Sequence, residues 1–326
     1  MTTNLRVATV TFNPAIDQTI TIDHLVRGEV HRVRSVRQDP GGKGVNVASC
    51  LADWGVPVTM LGLLGADNAA PFDALCAARP IIDRFERLPG ATRVNIKIVD
   101  DGETTDINMD GLAVDEAIAG RVLTAAETFA GPDALIVLSG SLPPGCHAGI
   151  YADMVARLRG LGARVMLDTS GAPLTMALKA DVLPSIVKPN RRELAAWAGE
   201  PLESIADVLR CAMRLRAGGI DLVVVSMGEE GALFLSGEGA LLARLSTGEL
   251  ASTVGAGDAM VAGLAAAAIE GAGLERTARL ATAFAVAKLG RPGPHLPDPG
   301  TVHALSQEVT ITMLEPMGMD KAGEAS

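Results

Sequence analysis

The sequence predicts an α/β protein with a mostly parallel central sheet covered by helices on both faces. Three observations carry this. Short, almost wholly apolar runs recur along the chain, an Ala/Leu-rich helical pattern lies close to each, and two stretches of alternating polar and apolar residues interrupt the rhythm.

The apolar runs are 6–12, 56–64, 134–138, 164–167, 185–188 and 221–226. They are strand length, and their lack of polar alternation suits strands buried on both faces. Between the first two, 44–54 sets Val47, Leu51 and Trp54 at i, i+4 and i+7 and stops at Gly55, a residue suited to the position just past a helix. The interruptions are 19–22 and 94–99; the turn-like Asp100-Asp-Gly102 follows the second and leads into 105–109. These read as half-exposed antiparallel strands of a small sheet that projects from the core, covering a site or pairing with another subunit. After about Pro292 the helical rhythm weakens, with 310–314 as a last strand and a frayed tail at 319–326. No internal repeat is present in the sequence.

At 326 residues and 48% hydrophobic content the chain suits one large α/β domain or two medium ones. A net charge of −10 disfavours nucleic acid, because the densest basic stretch, 27–37, is interleaved and flanked by acids. Cys50, Cys76, Cys146 and Cys211 show neither C-x-x-C spacing nor a disulfide framework, which fits a reducing compartment. No secretory leader and no apolar run of membrane-spanning length are evident, so a cytoplasmic protein is expected.

Ser252-Thr-Val-Gly-Ala-Gly-Asp258 opens an Ala-rich helical run, so Gly255, Ala256 and Gly257 would form a first turn with free N–H groups and a favourable dipole for an anion. A carboxylate beside such a site makes sense as a base accepting the proton of an attacking hydroxyl. The competing reading is a glycine-rich turn with an ordinary first-turn Asp258. Gly41-Gly-Lys-Gly-Val-Asn46 also enters a helix without matching a nucleotide P-loop. Gly41 and Gly42 would let a ligand lie against the backbone with Lys43 and Asn46 reaching it, or the segment is a loop with a solvated lysine. Asp17, in Asn13-Pro-Ala-Ile-Asp17, would hold two sugar hydroxyls or form an Asx turn. Asn190 and Glu193 stand three apart at a helix start, suiting either a cap pair or a metal-water role. The stretch Ser226-Met-Gly-Glu-Glu-Gly231 reads as a fold over a nucleotide or a plain hairpin turn.

Taken in order, Asn13 to Asp17, Gly41 to Ala48, Thr92-Arg-Val-Asn95, Ser139-Gly-Ser-Leu-Pro143, Val187 to Leu194 and Thr253 to Asp258 resemble the ribokinase/PfkB carbohydrate kinase family over about residues 5–290. The resemblance implies a ribokinase-like three-layer α/β/α sandwich with a small projecting β-sheet lid. The core would comprise 1–15, 39–91 and 110–318, and the lid 16–38 and 92–109. It implies ATP and Mg²⁺, and a homodimer formed through the lid. Asp258 would be the base, with Gly255, Ala256 and Gly257 as the anion hole. Asp17, Gly41, Gly42, Asn46 and Ser139 would contact the sugar, while Lys43 and Arg93 hold the phosphate it already carries. Along the nucleotide would lie Lys188, Asn190, Glu193, Ser226, Gly228, Gly231 and Thr253, with Asn190 and, through water, Glu193 toward magnesium. Arg93 and the run around Trp197 resemble the hexose-phosphate branch, since a guanidinium suits a phosphate. Ser252 replaces an Asp common in the wider family, a departure shared with that branch. The implied acceptor is fructose 1-phosphate, with tagatose 6-phosphate or fructose 6-phosphate as the alternative. The intact Gly-Ala-Gly-Asp258 argues against a sensor without turnover.

Overall fold

Uninterrupted apolar runs of strand length suit the middle of a sheet, where neighbours on both sides take their backbone hydrogen bonds, and the chain uses them there. The computed structural model describes residues 5–101, 103–245, 255–291 and 293–315. The first third contains β1 (Arg6–Thr11), β2 (Ala15–Ile22), β3 (Ser35–Gly41), α1 (Lys43–Asp53), β4 (Val58–Gly65), α2 (Ala70–Ala78), β5 (Ile81–Leu88), β6 (Val94–Asp100) and β7 (Glu103–Ile107). Then come α3 (Glu116–Phe129), β8 (Ala134–Ser139), α4 (Ile150–Gly160), β9 (Arg164–Asp168), α5 (Gly171–Lys179), β10 (Ile186–Val187), α6 (Arg191–Ala198) and α7 (Ile205–Ala217). The last third holds β11 (Leu222–Ser226), β12 (Ala232–Ser236), β13 (Gly239–Arg244), α8 (Ala256–Glu270), α9 (Leu274–Leu289), α10 (Pro299–Glu308) and β14 (Thr310–Leu314).

Ten strands form the main sheet in the order β14-β13-β12-β11-β10-β9-β8-β1-β4-β5. Pairing is parallel from β11 to β5 and antiparallel from β11 through β14. One apolar core packs α1, α2, α8, α9 and α10 on one face, and a second packs α3 to α7 on the other. This is the expected three-layer α/β/α arrangement. It sets Thr11, Ser139, Asp168, Val187 and Ser226 at the carboxyl ends of five neighbouring strands, the edge where open α/β sheets bind ligands.

The smaller sheet has the order β3-β2-β6-β7. Its central pair, β2 and β6, is parallel rather than antiparallel, although β3 and β7 pair antiparallel at its edges. The reason is connectivity. Both central strands are fed from the same edge of the main sheet, β2 just after β1 and β6 just after β5, so they leave it in the same direction. The weak rhythm beyond Pro292 conceals α10, which starts with Asp298 capping through Thr301 N (3.0 Å) and Pro299 in the first turn. The expected tail, 319–326, lies outside the described residues. Among the described residues no helix is long and apolar enough to cross a membrane.

Candidate active site

Between the smaller sheet, α1 and the N-terminus of α8 lies a cavity of about 470 Å³, whose walls include Asp17, Asn46, Lys97, Gly255 and Lys288. The first turn of α8 starts from Gly255 at φ +82°, a left-handed conformation that glycine adopts without penalty. Ala256, Gly257 and Asp258 follow, so first-turn N–H groups that no carbonyl of the helix itself can pair stand next to the carboxylate.

Asp258 is buried, and its Oδ2 accepts a hydrogen bond from Asn46 Nδ2 at 2.7 Å. Burial, reinforced by the nearby Asp168 charge, pushes its pKa up to about 6 against the pull of Lys43, Asn46 and Lys188. A carboxylate so tuned is ionised at neutral pH yet more basic than an ordinary aspartate.

Asp168 holds this neighbourhood together. Its Oδ2 accepts from Lys43 Nζ at 3.2 Å, and Lys188 Nζ makes an ion-pair contact with Oδ1 at 3.1 Å. Burial alone would raise Asp168, but the charges of Lys188 and Lys43 hold it below the usual carboxylate range. Lys43 is affected conversely: burial lowers it, while Asp168, Asp258 and Glu193 bring it above its ordinary value. Lys188 is 5% exposed, and its Nζ lies 3.6 Å from where a Cβ on Gly257 would stand, over the first turn of α8. One buried and one partly exposed lysine are thus balanced by two buried aspartates beside an anion-binding helix end.

On the sheet side, Asp17 sits within β2 rather than in an Asx turn. It accepts from Asn95 Nδ2 and Lys97 Nζ, each at 3.2 Å. Gly41 leaves room for it, since a Cβ there would lie 2.9 Å from Asp17 Oδ2. Gly42 is the N-cap of α1, which projects Asn46 toward Asp258.

A family model for the "pfkB family carbohydrate kinase" matches residues 10–300. The chain belongs to that family. It is 51% identical over 291 residues to a 1-phosphofructokinase of Xanthomonas campestris pv. campestris, covering 88% of this chain and 92% of the relative. It is 49% identical over 316 residues to a 1-phosphofructokinase of Rhodobacter capsulatus, covering 96% and 99%. Phosphofructokinase-2 of Escherichia coli, solved in complex with substrates and products, superposes with a TM-score of 0.87 at 28% identity, covering 93% of this chain and 99% of that one. The chain is therefore an ATP-dependent sugar kinase.

The remaining sequence-predicted residues fall into four groups. Lys188, Asn190, Ser226, Gly228 and Gly231 cluster around the ends of β10 and β11, where Asn190 bridges to Ser226. Asn190 and Glu193 form a full capping box, with Glu193 N donating to Asn190 Oδ1 and Asn190 N to Glu193 Oε2, both at 2.8 Å. The 226–231 stretch is a hairpin turn between β11 and β12, tied to α6 by Arg191 and Glu230 at 2.8 Å. Ser139 is buried beside Asp168 in the β8–β9 register, and its hydroxyl has no hydrogen-bond partner among the described residues. The structure does not bring Arg93 to the large cavity. Its guanidinium donates to the carbonyls of Asn13, Pro14 and Met109 at 2.9–3.2 Å and borders a separate, shallow cleft. Thr253, with Ser252 before it, lies outside the described residues.

Sequence reasoning missed Asp168, Lys97 and Lys288. Asp168 had one readable signal, a carboxylate directly at the end of an apolar run. Lys97 and Lys288 had none, being single cations in a strand and a helix.

Proposed function

We propose that the protein transfers the γ-phosphoryl group of ATP to O6 of fructose 1-phosphate, giving fructose 1,6-bisphosphate and ADP, with Asp258 as general base. The observation that carries this reading is the buried Asp258 carboxylate, raised to about 6 and hydrogen-bonded to Asn46, beside the first-turn N–H groups of α8. The names of the relatives support the acceptor.

Asp17 and Asn46 would take sugar hydroxyls and hold O6 against Asp258. As the O6–phosphorus bond forms, the bond from phosphorus to the β,γ-bridging oxygen of ATP breaks, and the O6 proton passes to Asp258. The N–H groups of Gly255, Ala256 and Gly257, with Lys188 above them, would stabilise charge on the transferring group. Lys43 would face the same charge, and Ser139 would support the sugar side. Arg93, with three of its five N–H groups on carbonyls, would offer a phosphate the two that remain.

Lys188, Asn190, Ser226, Gly228 and Gly231 would line the nucleotide, and Thr253 would join them. Asn190 and Glu193 offer only oxygen ligands, and Glu193 stands near enough to raise the pKa of Lys43. That donor set fits Mg²⁺ held mainly by water and nucleotide phosphates, where the ion would offset phosphate charge.

Coupled ADP release from the purified protein tests the reading. The largest kcat/KM is expected with fructose 1-phosphate. A larger value with tagatose 6-phosphate or fructose 6-phosphate reassigns the acceptor, and no turnover with any of them removes the kinase reading.

The smaller sheet would act as lid and dimer contact. Cross-strand register aligns Val36, Ile20 and Ile98 in one row, and Ile96 and Ile107 in the next, on the face opposite Asp17. Val36 is 56% exposed and Ile107 46%, an apolar face that a second copy of the sheet would cover. Light scattering is expected to give a dimer for the natural chain and a monomer for Val36→Asp. A monomeric natural chain ends this part of the proposal.

A further inference from the structure

Two segments meet at the carboxyl ends of β10 and β11. Pro189 and Asn190 lead into α6, and the 226–231 turn joins β11 to β12. At their base the backbone locks them together: Asn190 bridges to Ser226, and Ser226 N donates to Pro189 O at 3.1 Å. Beyond that base the turn closes on itself. Met227 N donates to Gly231 O at 2.9 Å and Gly231 N to Gly228 O at 3.0 Å, with Gly228 at φ +61° and Gly231 at φ +90°. A side chain at Gly231 would run into the carbonyl of Ala243, so this end of the turn lies directly against β13.

The outer part of the turn is tied to α6 by side chains. Arg191 is the first residue of α6, and its guanidinium meets the Glu230 carboxylate as a fork, Nη1 to Oε1 at 2.8 Å and Nη2 to Oε2 at 2.9 Å. Nη2 also lies 3.2 Å from Met227 Sδ, at the start of the turn. From the other side Arg244 Nε donates to Glu230 O at 2.7 Å. The hydrogen bond from Arg191, with the charges of Arg191 and Arg244, holds the Glu230 carboxyl below the usual carboxylate range, so the fork is ionised at neutral pH. An isolated exposed ion pair contributes little, whereas two parallel charge-assisted bonds also fix the orientation of the groups that carry them. Glu230 is thus the point from which the turn is hung between α6 and β13.

We propose that Arg191 is a positioning residue for the nucleotide: through its fork with Glu230 it fixes the 226–231 turn relative to the start of α6, and so presets the gap between two walls that the nucleotide spans. The inference rests on the reading above, in which Asn190 and Glu193 lie on one wall and Ser226, Gly228 and Gly231 on the other. Arg191 acts through the turn and leaves the acceptor side untouched. A lysine at 191 keeps the charge without the planar fork, so it cannot set the same orientation.

The test measures kcat and KM for ATP and for fructose 1-phosphate by coupled ADP release, Kd for ADP by calorimetry without sugar, and the melting temperature. It compares the natural chain with Arg191→Met, Arg191→Lys, Glu230→Gln and the double variant Arg191→Met/Glu230→Gln. Each single substitution is expected to raise KM for ATP and Kd for ADP by about 5- to 10-fold, with KM for fructose 1-phosphate within about twofold and kcat within about threefold. The double variant is expected to be no weaker than Arg191→Met, because either change alone already opens the fork. If Arg191 touches the nucleotide itself, Arg191→Met weakens ADP while Glu230→Gln does not, and the proposal is overturned. Unchanged KM for ATP and Kd for ADP in all variants overturn it as well, as does a lower melting temperature with both substrates affected alike; each leaves the kinase reading standing. A natural chain that binds ADP with this pattern among the variants, yet turns over none of the sugar phosphates, has the opposite meaning: the positioning role holds and the proposed reaction falls. No ADP binding by the natural chain overturns both.

Discussion

Asp258→Asn is expected to lower kcat by about 10³-fold while nucleotide binding persists, the effect of removing a positioned base from a transfer whose other parts remain. In the natural chain, activity should decline tenfold per pH unit below about pH 6, where Asp258 takes up its proton. The same substitution should make the protein more stable at pH 8. The folded pKa of Asp258 is raised above its ordinary 3.8 to about 6, so its favourable contribution is complete below pH 3.8 and lost as pH rises through 6. At pH 8 the ionised carboxylate costs about 3 kcal/mol at most, and asparagine removes that cost while keeping a partner for Asn46. Melting temperatures of both proteins at pH 4 and pH 8 check the sign: a gain at pH 8 that vanishes at pH 4. Undiminished turnover in Asp258→Asn would remove it from the role of base.

What was legible in the sequence follows from how far apart the interacting residues lie. The glycine-rich starts of α1 and α8 are local features, because a helix N-terminus and its anion-binding capacity are encoded within five or six residues. The buried strands were equally readable, as each run of apolar residues dictates its own burial. Asn190 and Glu193 were ambiguous for a physical reason: a capping box and a water-mediated magnesium contact use the same oxygens, and in the structure the cap is formed. Arg93 shows the opposite limit. A guanidinium in a sugar-kinase motif suggests a phosphate, but only the fold reveals that three carbonyls already take three of its five N–H donors. Register was hidden too. That Arg37, Thr19 and Lys97 form one row depends on pairing β2 with β6 in parallel, which their alternating patterns alone do not specify.

Asp168 is the residue whose meaning is least local and whose loss should be most damaging to stability. It pairs with Lys43 across 125 positions of sequence and with Lys188 just past the adjacent strand; Asp168 and Lys188 are buried, while the Lys43 side chain is 36% exposed. Asp168→Asn leaves the buried Lys188 and the partly exposed Lys43 without their nearest carboxylate, so a loss of about 3 kcal/mol is expected in urea unfolding at pH 7. Its folded pKa is depressed, so this contribution is present above pH 3.8 and disappears as pH falls through the lower, folded value. Replacing Lys43 with Met in the same chain should restore part of the loss, because one cation then has one fewer like charge beside it. A double-mutant cycle is expected to return a coupling of about 1–3 kcal/mol. Activity provides an independent readout. Asp168 is one of the charges that raise Asp258, and without it Lys43 and Lys188 turn wholly to Asp258. The acid limb of the pH–rate profile should therefore move below 6 in Asp168→Asn, accompanied by a weaker base and a smaller kcat. An acid limb that stays in place would mean that burial alone tunes Asp258, and that the Lys43–Asp168–Lys188 bridge serves only to hold the strand ends together.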